Sequence, residues 1–250
     1  MRNKQDIRIV EFLRRVKSAS VEEIAEEISC SQSTVRRRLI VLSDMGIIFR
    51  THGGATINDS ETMLPNFSYR QDRNKEVKKR LAICAYKLIK DGDVVFLDDS
   101  STVYNIIPYL TELENVLVVT NGVNNLALLS KYNISAISTG GLTDPIVSSA
   151  LSGEFAVNTV KNIFYDISFI TGLCVNSDGV VTDASHDVLP VKRAVLKNCK
   201  RNVFLFDGEK FGKNSVYKWF DLSEFDTVIS DMAVEEFIEE KNLPKDIIKA

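Results

Sequence analysis

The segment Val21 to Ala55, VEEIAEEISCSQSTVRRRLIVLSDMGIIFRTHGGA, constrains the fold more than any other part of this chain. Apolar residues return at helical spacing, first Ile24, Ala25 and Ile28, then Val35, Leu39 and Leu42, and the polar break SCSQS separates the two sets. Helices this short hold their shape only by burying their apolar stripes against other elements. Ser20, with Glu23 three positions on, has the pattern of a capping box at the start of the first helix. Ser31 or Ser33 can cap the second, and Gly46 can end it near Met45. Upstream, Ile7, Val10, Phe12, Leu13 and Val16 predict an amphipathic helix ending near Lys17. Downstream, IIFRT reads as a short strand and His52-Gly53-Gly54 as a turn. Three helices followed by a small β element make a winged helix-turn-helix over residues 1–57.

The charge distribution suits such a head. The whole chain carries −3, but residues 1–55 carry +3 and the remainder −6. A helix pair with cations on its second member is how a small domain enters a DNA major groove. Ser31, Gln32, Ser33 and Thr34 stand at the start of the candidate reading helix, and Arg36, Arg37 and Arg38 follow within one turn. They can contact base edges or phosphate oxygens, with Arg50 and His52 of the wing reaching an adjacent groove or phosphate. A triple arginine alone is more often a solvated face; the helix-turn-helix context favours double-stranded operator DNA as partner.

Residues 58–74 are polar, contain Pro65 and lack regular periodicity, so a linker is expected there, with Phe67 and Tyr69 available to dock on a domain. From residue 75 to 250 helical patterns alternate with short apolar runs: KKRLAICAYKLI, then VVFLD; TVYNIIPYL, then VLVVT; NNLALLSKY, then ISAIS. Beyond a helical region around FAVNTVKNI, DISFITGL reads as a strand, PVKRAVLKNC as a helix, and NVFLFD and TVISD as strands, with a C-terminal helix last. The fold class expected is α/β: a winged helix-turn-helix followed by a Rossmann-like, mostly parallel sheet covered on both faces. The four cysteines, Cys30, Cys84, Cys174 and Cys199, are scattered and show no metal-ligand spacing. No cofactor or metal is expected. MRNKQDIRIVEFL lacks the apolar run of a signal peptide and no 18-residue apolar span occurs, so a soluble cytoplasmic protein without a membrane partner is expected.

Three loops end consecutive strands in the way ligand sites of open α/β sheets are built. They are LDDSST (Leu97 to Thr102), TNG (Thr120 to Gly122) and STGG (Ser138 to Gly141). Each alone can be a capping turn; together they favour a pocket for a small phosphorylated ligand. Asp166, Asp183, Lys192, Asp207 and Lys210 lie near element ends, where the lysines can meet a phosphate and the carboxylates sugar hydroxyls, or all can form surface ion pairs. Trp219 reads as core or interface. His186 has no nucleophile partner, and neither Gly-x-Ser-x-Gly nor His-Glu-x-x-His occurs.

SVEEIAEEISCSQSTVRRRL with GIIFRTHGGA resembles the helix-turn-helix of DeoR-type bacterial transcriptional regulators. KEVKKRLAICAYKLIKDGDVVFLDDSST, VVTNG, STGGL, DISFITG and LFDGEKFGK resemble their sensor domain, in order, over residues 5 to 230. The resemblance implies a sensor similar to sugar-phosphate isomerases, binding a phosphorylated sugar effector without turning it over, in a repressor of a sugar or polyol operon. It places the effector site on Asp98, Ser100, Ser101, Thr102, Thr120, Asn121, Gly140, Gly141, Lys192 and Lys210. Three positions depart from the family pattern. Arg38 stands where Asp is usual, Ser100 where the phosphate loop has Gly, and no Glu precedes Lys192, since Val188 and Pro190 occupy that stretch. Two other readings stay open: a sugar-phosphate isomerase-like enzyme fused to a DNA-binding head, for which Asp98, Asp99 or Asp183 would be the base, and a ligand-insensitive body that only oligomerises. A homodimer or homotetramer is expected from the two-fold symmetry of operators.

Overall fold

The computed structural model describes residues 4–58, 66–144, 147 and 149–250. The chain divides into two compact units, Met1–Tyr69 and Arg70–Ala250. Among the described residues no helix is long and apolar enough to cross a membrane.

In the first unit α1 (Lys4–Val16), α2 (Val21–Ile28) and α3 (Gln32–Asp44) enclose a core of Ile9, Leu13, Ile24, Ile28, Val35, Leu39 and Leu42. The capping box at α2 is complete: Glu23 N donates to Ser20 Oγ at 3.1 Å, and Ser20 N donates to Glu23 Oε2 at 2.7 Å. Ser29 in a left-handed conformation ends α2, and Ser31 caps α3 by accepting from Thr34 N at 3.3 Å. The stripe of α1 differs from the expected one. Ile9, Val10 and Leu13 are buried, whereas Ile7 and Val16 stay exposed. Both sets fit a helical period, and packing against α2 and α3 selects one.

Three strands complete the unit: β1 (Ser18–Ser20), β2 (Ile48–Arg50) and β3 (Gly54–Ile57), antiparallel in the order β1-β3-β2. β1 is too short to leave a sequence signal. It passes so close to β3 that a Cβ on Gly54 would lie 2.1 Å from the Ala19 carbonyl oxygen. Residues 59–65 of the expected linker lie outside the described residues. Its later part is not irregular: α4 (Phe67–Asp72) forms there, its start tied by Tyr69 N donating to Asn66 Oδ1 at 3.0 Å, and Tyr69 is buried in the core of the first unit.

The second unit begins with α5 (Lys75–Tyr86) and continues through β4 (Val94–Leu97), β5 (Leu117–Thr120), α6 (Val123–Lys131) and β6 (Ala136–Ser138). After β7 (Leu142–Thr143), β8 (Leu151–Ser152) and α7 (Gly153–Val160) come β9 (Tyr165–Ile170), β10 (Cys174–Val175), β11 (Val180–Asp183) and α8 (Leu189–Lys197). β12 (Cys199–Phe206), β13 (Tyr217–Asp221), β14 (Thr227–Ser230) and β15 (Asp246–Lys249) complete it. Seven strands make one parallel sheet in the order β15-β14-β12-β9-β4-β5-β6. Alternate residues face opposite sides of such a sheet. Val95, Leu97, Ile167, Phe169, Val203 and Leu205 pack with Leu81, Ala82 and Ala85 of α5, while α8 packs against β9 and β12. β10, β11 and β13 form a small antiparallel sheet, and β7 pairs with β8.

The chain winds from β4 outward to β5 and β6, then returns to β9 on the other side of β4 and winds outward to β15. The order therefore reverses between β4 and β9, and the crevice beyond their C-terminal ends is where sheets of this kind bind ligands.

Two expectations fail here. TVYNIIPYL lies in a 3-10 helix, Val103–Glu112, rather than an α-helix. Pro108, which has no N–H, cannot complete an α-helical ladder. TVISD is not the last strand, and the C-terminal helix reduces to two 3-10 turns, Val234–Glu236 and Glu240–Asn242. The open edge of β14 takes Asp246–Lys249 as a further parallel strand, because an unpaired edge leaves backbone groups to satisfy.

Gly54→Val drives a side chain into the β1 backbone and is expected to cost about 1–3 kcal/mol, in the range of overpacking. Hydrogen exchange at Ala19 and Ala55 reads it; unchanged protection would remove the close-approach argument.

Candidate functional site

Two sites emerge, one in each unit. In the first, Val35, Leu39 and Leu42 fix one face of α3 inward, so that Ser33, Arg36, Arg37 and Ile40 share the opposite, exposed face at three- and four-residue steps. Arg38 belongs to neither. Its Nε lies 3.6 Å from Asp6 Oδ1 of α1, and both side chains are largely buried. The third arginine of the run therefore ties α3 to α1 instead of facing outward with the first two. Ser31 is engaged as the cap of α3 and contacts the hydroxyls of Ser33 and Thr34 at 3.0 and 2.9 Å. Gln32 is exposed, its amide 3.5 Å from Glu22. Arg50 and His52 are exposed where β2 turns into β3. Ile40, which the sequence reading passed over, adds an apolar group beside the arginines, of the kind that can meet a thymine methyl.

In the second unit the site forms at the ends of β4 and β9. Asp98 follows β4 and is fully buried. Its Oδ2 accepts from Thr171 N at 2.7 Å, Thr171 Oγ1 at 3.1 Å and Lys192 Nζ at 2.8 Å, and its Oδ1 from Ser100 N at 3.0 Å. Burial alone would raise this carboxyl, but Lys192 and the donors around Ser100 hold it below the usual carboxylate range. For Lys192, burial pushes the ammonium down while Asp98, Asp99 and Asp183 outweigh it and hold it above the ordinary lysine value. Lys192 also donates to the Thr171 carbonyl at 3.2 Å and lies 4.8 Å from the ring of buried Trp219. Asp98 is thus saturated by the protein; it positions Lys192 and clamps β4 to the end of β9.

Thr120 is engaged in the same way. Its Oγ1 donates to the Leu97 carbonyl at 2.6 Å and accepts from Gly122 N and Asn125 Nδ2, both at 3.0 Å. Asn121 is held by its amide nitrogen alone: Nδ2 reaches Asp99 Oδ1 at 3.5 Å and donates to the Leu151 carbonyl at 3.4 Å, and its buried Oδ1 has no hydrogen-bond partner among the described residues. Ser100 lies outside the left-handed region, so the position usually given to glycine needs no positive φ here. Its Oγ instead accepts from Val103 N at 3.1 Å and ties the loop to the 3-10 helix. Ser101 and Thr102 are buried beside it, and Lys78 Nζ donates to Ser101 Oγ at 2.9 Å.

Lys210 donates to the Gly172 carbonyl at 2.8 Å, one residue beyond Thr171, and burial lowers its pKa against the opposing pull of Asp207 and Asp98. Asp183 is buried near Lys192; burial raises its carboxyl to about 6. Asp207 accepts from Asn74 Nδ2 at 3.1 Å. Gly140 and Gly141 lie beyond the end of β6, one strand further out than Thr120, and both have positive φ. A Cβ on Gly141 would lie 2.2 Å from the Ser152 carbonyl oxygen, so this pair serves the turn into β7. Asp166 sits at the opposite end of the sheet, where it accepts from Val94 N and pairs with Lys200 at 2.7 Å. His186 packs against Tyr217.

Three site residues escaped the sequence reading. Arg70 donates to Ser149 Oγ at 2.9 Å and is electrostatically coupled to Asp99, Asp183 and Asp98. Lys78 is buried, and burial followed by the charge of Lys210 pushes it down to about 7. Thr171 supplies two of the bonds that saturate Asp98. Lys78 did carry a signal: it shares the apolar stripe of α5 with Leu81, Ala82 and Ala85, where a lysine is out of place unless it serves a buried anion. Lys192→Met leaves Asp98 charged and unpaired in the core and is expected to destabilise the body by about 3–5 kcal/mol. Urea unfolding followed at Trp219 measures it, and a second change, Asp98→Asn, should recover part of the loss.

Comparison with known proteins agrees with this organisation. The model of the DeoR-like helix-turn-helix domain matches residues 6–61, and that of the DeoR C terminal sensor domain matches residues 73–232. The L-fucose operon activator of Haemophilus influenzae is 30% identical over 93% of this chain and 93% of its own length. The glycerol-3-phosphate regulon repressor of Escherichia coli is 27% identical over 89% of this chain and 88% of its own. A solved ribose 5-phosphate isomerase A from Methanocaldococcus jannaschii aligns with 55% of each chain at 21% identity and a TM-score of 0.42. With both family models matched in order along it, this chain belongs to the DeoR family of helix-turn-helix transcriptional regulators, a DNA-binding head followed by a sensor domain.

Proposed function

We propose that this regulator represses an operon for sugar or polyol catabolism and leaves its operator when a phosphorylated sugar enters the crevice beyond β4 and β9. The observation that carries the reading is the gathering of Lys192, Lys210, Lys78 and Arg70 with Asn121 and the Ser100–Thr102 loop at the switch point of the sheet. Cations there suit a phosphate, and the Asn121 oxygen, without a partner among the described residues, suits a hydroxyl donor, the two groups that a sugar phosphate combines. Asp98 and Thr120 act in this reading by holding the site in shape. Relatives named as regulators of the L-fucose operon and the glycerol-3-phosphate regulon support the effector class.

At the DNA, Ser33, Arg36, Arg37 and Ile40 form the reading face, Gln32 and Thr34 stand at its start, and Arg50 and His52 hold phosphates or an adjacent groove. Two copies related by a two-fold axis bind the halves of the operator. Fluorescence anisotropy tests the whole proposal, using DNA from upstream of the protein's own gene and its neighbours, with and without a pool of sugar phosphates. Tight binding released by the pool is expected; tight binding indifferent to the pool would sink the sensor half. Arg36→Ala or Arg37→Ala is expected to weaken operator binding by about 1–3 kcal/mol where the side chain reads a base pair. Arg38→Ala should instead lower the stability of the head. Wild-type affinity in both Arg36→Ala and Arg37→Ala would show that α3 does not read DNA.

A further inference from the structure

The seven-stranded sheet of the second unit has two outer edges, and they are built differently. β15 is lined by charge, with Lys245, Asp246 and Lys249 along it, the kind of residue that keeps an open edge from pairing with another chain. β6 has no such guard. Among the described residues it pairs with β5 alone, and residues 132–143, which contain it, hold no charged side chain. Ala136, Ile137 and Ser138 are all exposed, so neither face of β6 is covered, although the adjoining β5 is largely buried. Where the chain leaves β6 and passes through β7 and β8 into α7, two large apolar side chains stand in solvent, Leu142 at 74% and Phe155 at 79% exposure. They share one corner of the fold: Leu142 pairs with Ser152 of β8, and its Cδ1 lies 4.0 Å from the place of a Cβ on Gly153. Single exposed apolar residues are ordinary, but a group of them beside an unguarded strand edge marks a surface that another chain covers.

The backbone fixes what can be added there. Val118 N donates to the Ser135 carbonyl at 3.0 Å and Thr139 N to the Thr120 carbonyl at 3.1 Å, so the odd-numbered residues of this stretch turn their N–H and C=O toward β5. Successive residues of a strand point these groups to opposite sides, and Ala136 and Ser138 therefore present theirs to the open edge. We propose that a second copy of this chain covers that edge, β6 pairing antiparallel with its counterpart about a two-fold axis at Ile137. In that register Ala136 faces the partner's Ser138 and Ser138 faces the partner's Ala136, each pair exchanging both backbone hydrogen bonds. Ile137 meets the partner's Ile137 at the non-hydrogen-bonded position between them, where antiparallel strands lie closest. A strand repeated about a two-fold axis is complementary to itself, and the absence of charge from residues 132–143 removes the like-charge contact that such symmetry would otherwise impose. Leu142 and Phe155 supply apolar area that a three-residue strand lacks. This contact lies wholly within the second unit. It gives the two-fold pair proposed above a physical basis and rests on neither effector nor DNA.

Sedimentation equilibrium of the full-length protein, without DNA or sugar phosphate, tests it. The wild type is expected to be a dimer, or a multiple of one, at micromolar concentration. Ile137→Lys sets two like charges against each other at the axis and should move association to at least about tenfold higher concentration. Ile137→Glu should do the same. Mixed in equal amounts, the two variants should recover wild-type association, because unlike charges then meet across the axis; a folding defect in either would not be repaired by the other. Circular dichroism establishes that each variant is folded. Ala136→Pro gives a second route, since it removes an N–H that points away from β5 and so weakens association while leaving the sheet intact. A monomeric wild type overturns the proposal. So does Ile137→Lys or Ala136→Pro associating as the wild type does, or a mixture of the two charged variants that stays dissociated. Failure to bind the operator in the anisotropy experiment would count against the DNA reading and leave this interface standing.

Discussion

The carboxylate of Asp98 and the ammonium of Lys192, 2.8 Å apart and shut away from water, are the constraint on which the body depends. A pair buried this deeply is tolerable only when every remaining lone pair and proton finds a partner, and here the Thr171 and Ser100 donors and the Thr171 carbonyl supply them. The pair spans the point where the strand order reverses. It fixes α8, β4 and the end of β9 against one another, and the loops after those strands inherit a defined geometry.

That rigidity separates the groups which hold the site from those which can meet a ligand. Asp98 and Thr120 carry side chains whose hydrogen-bonding capacity is met within the fold, whereas Asn121 keeps a buried acceptor without a partner among the described residues. The cations divide likewise. Lys192 is held above the ordinary lysine value by three carboxylates, while Lys78 and Lys210 are pushed below it by burial. A charged group kept in an unfavourable setting is stabilised by whatever anion relieves it, which is the physical content of a sensor. The head is built on a different balance. Its core is built by packing apolar stripe on stripe, α2 and α3 are capped by serines, and Arg36 and Arg37 face outward while Asp6 draws Arg38 into the seam between α1 and α3.

Much of this was legible in the sequence because it is local. Capping at Ser20 and Ser31, the stop at Gly46, the stripes of α2 and α3, and the alternation of helix and apolar strand each depend on residues a few positions apart. The motifs of both domains were recognisable for the same reason. Local pattern misled where two solutions fit one period, as in the stripe of α1, or where a partner far away in the chain decided the outcome. β15 exists because β14 has a free edge, β1 because β3 passes beside it with a glycine at the crossing, and the helical start of Phe67–Asp72 is secured by Tyr69 in a core assembled from other segments.

The sequence by itself determined the inventory: three helices, two of them capped by serines, with a wing, a parallel α/β body and a family. Tertiary structure alone decided which of those groups are engaged and which are available. Strand order brings Asp98, Thr171 and Lys192 together from separations of 73 and 94 residues, and the saturation of a carboxylate depends on every donor that the fold delivers to it. Spacing along a chain records none of that, because hydrogen-bond capacity is allotted only once distant elements have packed.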